Sequence, residues 1–219
     1  MERTITVNGV GKMSVKPDYV VISMTIEAKD KKYDEAMKIL SDKIDRMQAS
    51  IKAAGFAKDS LKTTSFNVDT DYSYVSRKNV AERVFNGYDC TTEAKIEFDF
   101  EPETLAKAIS AITESLADAQ FNIMFTVKDK DAVKGELLAK AAENAKKSAE
   151  ILCRASGAKL GKLVSINYNW NEAHIFTTVN YRMFDEYGTV PMRCEAKMAD
   201  ISPDDIDLSD SAAFVWEIE

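Results

Sequence analysis

Histidine is nearly missing from this 219-residue chain: His174 is the only one. Any Ser-His-Asp or Cys-His pairing would have to use it. It lies between Ala173 and Ile175 in the least regular part of the sequence, so it reads as a surface or packing residue rather than a base. Cysteine is scarce too. Cys90, Cys153 and Cys194 are far apart, odd in number and without C-x-x-C spacing, which indicates neither a disulfide framework nor a zinc site and fits a reducing compartment. Basic residues are outnumbered, 29 Lys and Arg against 36 Asp and Glu, for a net charge of −7. That balance disfavours a grip on phosphate backbones, which needs a basic stripe, and docking on anionic lipid. No run approaches the ~18 apolar residues of a membrane helix. The opening Met-Glu-Arg-Thr-Ile-Thr-Val-Asn-Gly has no apolar signal-peptide core, so the expectation is cytoplasmic for the chain as it stands, and extracytoplasmic if a leader has been removed. Only eight glycines occur. Gly9-Val10-Gly11 lacks the third glycine of a dinucleotide fingerprint and the Gly-Lys-Ser/Thr of a P-loop, and reads instead as a bulge or turn beside the first strand.

What is present is periodic. Val20, Ile22, Met24 and Ile26 alternate with polar or smaller residues, the pattern of a strand with one buried face. Asp30 stands where a helix N-cap is expected, and Met37, Leu40, Ile44, Met47 and Ile51 follow at helical spacing before Gly55. Two strands at 61–75 and 83–100, joined by a polar loop at 76–82, predict a long antiparallel pair. Pro102 opens a second helix carrying Leu105, Ile109, Ile112 and Leu116. A strand through Phe121–Val127 precedes a long helix at 130–156 with Val133, Leu137, Ala141, Ala145, Ala149 and Leu152, whose small residues predict close approach to a neighbour. Strands at 162–170 and 213–218 flank the irregular stretch 171–211.

Taken in order, several of these segments resemble a known family. Ile-Thr-Val-Asn-Gly-Val-Gly, Val15-Lys16-Pro17-Asp18, the helix opening on Asp34-Glu35-Ala36, and its exit Ala54-Gly55-Phe56 are similar to the start of a SIMPL domain. Leu61–Phe66 leading into a strand with Tyr72 and Tyr74, then Ala139–Ala158 followed by Lys159-Leu160-Gly161, continue the pattern to about Ile218. The resemblance implies bacterial oxidative-stress-defence or envelope proteins, some similar to the building blocks of ring-like or channel-like assemblies, and it brings no catalytic residue set.

The expected fold class is α+β: largely antiparallel sheets with helices packed on one face, two strand–helix–strand units fused into one compact chain. One SIMPL-like domain spans 1–219, with sub-units at roughly 1–82 and 83–219 and the insert at 171–211. The expected function is a non-enzymatic structural or interaction protein that forms a homo-oligomer, binds no nucleic acid and uses no cofactor. The alternative is a small-ligand or soft-metal module in the insert, where His174, Met183, Met192, Cys194 and Met198 supply imidazole, thiolate and thioether groups suited to Cu(I) but share no repeated spacing. Asp204, Asp205, Asp207 and Asp210 lack the alternate-position pattern and glycine turn of a calcium loop and read as a solvated acidic loop. Tyr72, Tyr74, Tyr168 and Trp170 offer rings to a ligand but read first as core or sheet surface.

Overall fold

The period-2 and period-3.6 patterns become strands and helices in a computed structural model that describes residues 3–77, 80–168, 175–179 and 202–219. In chain order the elements are β1 Thr4–Val15, β2 Tyr19–Asp30, α1 Tyr33–Ala53, β3 Lys62–Arg77, β4 Val80–Asp99, α2 Pro102–Glu114, β5 Gln120–Thr126, α3 Lys130–Ser156, β6 Leu160–Asn167, β7 Phe176–Val179 and β8 Ile206–Ile218. They build a five-stranded sheet of order β3-β4-β2-β5-β7 and a three-stranded sheet of order β1-β8-β6. The paired strands β1/β8, β2/β4, β3/β4 and β6/β8 are all antiparallel, so the fold class is α+β as the pattern implied. Compact packing divides the chain into one unit of Met1–Pro17, Thr126–Thr177 and Asp204–Glu219 and another of Asp18–Phe125 and Thr178–Pro203. Residues 82 and 83 both lie inside β4.

In the second unit Val20, Ile22, Met24, Ile26 and Ala28 all point to one side of β2 and are buried. They pack against Ala36, Leu40, Met47 and Ile51 of α1 and Leu105, Ile109 and Ile112 of α2. Each such Val, Leu, Ile or Met side chain contributes about 1.5–3 kcal/mol by leaving water. Two details differ from the sequence pattern. Asp30 is not the cap of α1: its Oδ1 accepts from the Lys32 amide at 2.8 Å, and the helix starts after Lys32 with no side-chain cap. Leu116 does not continue the apolar stripe of α2. The helix closes at Ser115, and Leu116 sits 71% exposed in the left-handed region at φ 53°.

The first unit answers the question posed by the small residues. α3 begins at Asp129, whose side chain accepts from the Ala132 amide, and stops at Gly157, left-handed at φ 76°. Its buried stripe is Leu137, Ala141, Ala145, Ala149 and Cys153; Leu152 faces solvent instead. β1 runs unbroken through Gly9 and Gly11, so these are not turn residues. A Cβ on Gly9 would collide with the Ala141 carbonyl oxygen, and one on Gly11 with that of Leu137. Strand and helix backbones touch there because neither side carries bulk. The Val10 amide donates to Asn144 Oδ1 at 3.1 Å, closing part of β1's outer edge.

β8 pairs with β1 over its whole length, from Thr4↔Glu217 to Val15↔Ile206. The irregular stretch therefore ends before residue 206, not at 211; Ile206 and Leu208 bury against Val127, Leu137 and Ile175. β6 is the other edge. Val164 and Ile166, which the alternation places on one side of this strand with Tyr168 and Trp170, are about half exposed, as is Leu163.

Candidate functional site

Hydroxyl, amide and charged side chains line the clefts of this protein. One of about 410 Å³ on the five-stranded sheet has Ser23, Thr25, Thr64, Glu93, Gln120 and Asn122 around it. Another, about 670 Å³, lies beside β1 and α3, with Lys12, Lys140, Asn144 and Lys147. There Glu143 is held below the usual carboxylate range by its 2.7 Å hydrogen bond and ion pair with Lys147. Among the described residues no group of three or more His, Cys, Asp or Glu is arranged to hold a metal ion.

The residues singled out from sequence are dispersed. His174, Met183, Met192, Cys194 and Met198 lie outside the described residues, as does Trp170. The acidic quartet is not one loop: Asp204 and Asp205 precede β8 while Asp207 and Asp210 are within it. Asp210 Oδ2 accepts from Tyr168 Oη at 2.7 Å, joining the chain just past β6 to β8. That hydrogen bond, then desolvation and the Asp210 charge, raises the Tyr168 phenol above its ordinary pKa. Cys90 and Cys153 are buried free thiols; burial, then the Asp89 charge, pushes the Cys90 thiol up.

The feature that sequence reading left unassembled is made by β3 and β4. β2 covers β4 only as far as Asp30↔Tyr88. β3 and β4 stay paired well beyond it, from Asp71↔Gly87 to Arg77↔Val80, so the loop expected at 76–82 is largely strand. Seven β3 residues at ~3.3 Å each give a two-stranded ribbon about 23 Å long, with no third strand among the described residues. Its root is specialised. Gly87 has φ 150°, and a Cβ there would collide with the Asp30 carbonyl oxygen. Asn86, extra at the register shift, accepts from Ser73 Oγ at 3.1 Å and donates to Asp71 Oδ2 at 3.3 Å.

Rings run along this ribbon. Tyr33 of α1 meets Tyr88 edge-on at 5.6 Å, Tyr88 meets Phe85 at 5.4 Å, and Phe85 meets Tyr72 at 5.4 Å. The Arg83 guanidinium lies 3.6 Å over the Tyr72 ring, and Tyr74 beyond it is 73% exposed. The chain of edge-to-face contacts ties the ribbon back to α1, while its outer rings stay open to solvent. Chemically this surface offers stacking faces, a cation and free backbone edges. Tyr72 and Tyr74 were visible in the sequence as strand residues; that no third strand among the described residues covers them was not.

Comparison with known proteins matches this architecture to one family. The family SIMPL, described as a protein of unknown function (DUF541), matches residues 5–216. The 26 kDa periplasmic immunogenic proteins of Brucella melitensis biotype 1 (strain 16M) and Brucella abortus (strain S19) are each 28% identical over 167 residues, covering 74% of this chain. The match spans 65% of the length of those relatives. A solved structure of a de novo designed protein, Foldit4, aligns with a TM-score of 0.23 at 12% identity, over 48% of this chain and 93% of that one. With the family match running through both sheets and all three helices, the chain belongs to the SIMPL family.

Proposed function

We propose that this protein is a non-enzymatic structural or interaction protein that works by self-association. The observation that supports this most is the ribbon: a two-stranded element whose edges pair with no further strand among the described residues, with exposed aromatic rings. Such ribbons are marginal alone, and unpaired edges with exposed rings are the features a partner strand covers. The periplasmic naming of the relatives supports an extracytoplasmic place of work, with a role in stress tolerance carried by family resemblance alone. Light scattering on the size-exclusion peak tests the central claim. A discrete oligomer that falls to chain mass when Tyr72 and Tyr74 are both changed to Ser is expected. A monomer at every concentration of the unaltered chain would sink it.

A further inference from the structure

We infer that the cleft of about 410 Å³ on the five-stranded sheet binds a small amine-bearing sugar, its ammonium group on Glu93 and its hydroxyls on Ser23, Thr25, Gln120 and Asn122. All of these residues lie within Asp18–Phe125, and the ribbon takes no part. Alternation sets the cleft on the side of β2 away from the helices: Ser23 and Thr25 stand between the buried Ile22, Met24 and Ile26. Thr64 borders it on β3. The register slips there, between Thr63 and Ser65, and the Thr64 hydroxyl donates to the Glu93 carbonyl oxygen at 3.2 Å.

The acids on this face of β4 are not treated alike. Asp89 lies opposite Lys29 in the β2–β4 register and pairs with it at 2.6 Å. Glu97 holds the Lys95 ammonium at 2.7 Å. Glu93, between them, lies opposite Thr25 on β2 and Ser65 on β3, and its carboxylate has no ion pair among the described residues. Opposite charges facing each other across a sheet stabilise it, yet no lysine or arginine among the described residues lines this cleft. A ligand ammonium supplies the missing cation. The rest of the polar lining is hydroxyl and amide, groups that both donate and accept and so match sugar hydroxyls. Asn122 Oδ1 is shut from solvent and accepts from no described residue. An acceptor left so costs about 1–3 kcal/mol, and its amide torsion is soft, so it gains by turning to a ligand hydroxyl. From β4 across β2 to β5 is two strand spacings, about 10 Å, which suits linked sugar rings better than a lone amine.

Calorimetric titration with a glucosamine trimer, its fully N-acetylated counterpart and spermidine tests this. The glucosamine trimer should bind the unaltered chain saturably, one per chain, with a Kd in the millimolar range expected of an open cleft. Acetylation, which removes the charge, and Glu93→Gln, which keeps the shape, should each weaken binding about tenfold. Spermidine carries as many amines but no hydroxyls, and should bind more weakly than the trimer. Glu93 and Gln120 are exposed, so Glu93→Gln and Gln120→Ala should keep the far-ultraviolet circular dichroism of the unaltered chain, and Gln120→Ala should also lose affinity. No saturable binding, or an unchanged affinity in Glu93→Gln, overturns the site. Spermidine binding as well as the trimer overturns the sugar. Should a variant misfold, amide chemical shifts of the unaltered chain decide. Those of 23–25, 93–94 and 120–122 should move as the trimer is added, and movement confined to other residues overturns the assignment.

Discussion

At the residue scale, glycine carries opposite meanings at different positions. Gly9→Ala or Gly11→Ala would force a methyl group into helix backbone that cannot yield without moving α3, and each should destabilise the fold by about 3 kcal/mol. Gly135, inside α3, has nothing within 4 Å of an added Cβ, and Gly135→Ala should stabilise by about 0.5–1 kcal/mol. Urea unfolding midpoints of the three variants separate the cases; equal effects would mean that the strand–helix slot is not there. Leu116 is the converse: a bulky, exposed side chain at φ 53°, where helices usually end on glycine. Leu116→Gly should raise stability by about 0.5 kcal/mol in the same assay, the relief of left-handed strain outweighing glycine's extra chain entropy. The sequence showed Gly9-Val10-Gly11 and the alanines of 141–149 as separate oddities. Each was the other's explanation, and no local pattern states that two segments more than a hundred residues apart will touch.

At the element scale, strand and helix identity was legible wherever one face is buried, as in β2, α1 and α3, because burial imposes a period. Where neither face is buried, the strands were still legible but their packing was not. β6 and the outer half of the β3–β4 pair carry apolar residues that no neighbour among the described residues covers, so alternation gave strands there without saying what they pack on. β8 was read short because Asp207, Ser209 and Ser211 face solvent between Ile206 and Ala212, and the acids masked the alternation. The Tyr168–Asp210 hydrogen bond tethers that strand. Because it raises the phenol's pKa, its contribution is fully present below the unfolded tyrosine's value of about 10 and is lost as pH climbs through the higher folded value. Stability measured across this alkaline range should fall with pH in the unaltered chain and fall less in Asp210→Asn; identical slopes would show that the bond does not form in solution.

At the scale of the whole molecule, the family and fold class could be read from the order of weak motifs, but the candidate site could not. The soft-metal residues lie outside the described structure, and the ribbon depends on where β2 stops relative to β4, which is tertiary information. The pairing of β1 with β8 has its own consequence, in time. β1 is made before every other element described, and its hydrogen-bonding partner begins at Ile206. At 5–20 residues per second, the opening strand waits on the order of ten to forty seconds for its complement. Meanwhile Asp18–Phe125, which holds β2, β3, β4, α1, α2 and nearly all of β5, is free to fold before β7 joins the sheet edge. Only when the thirteen residues of β8 have emerged can the β1-β8-β6 sheet close.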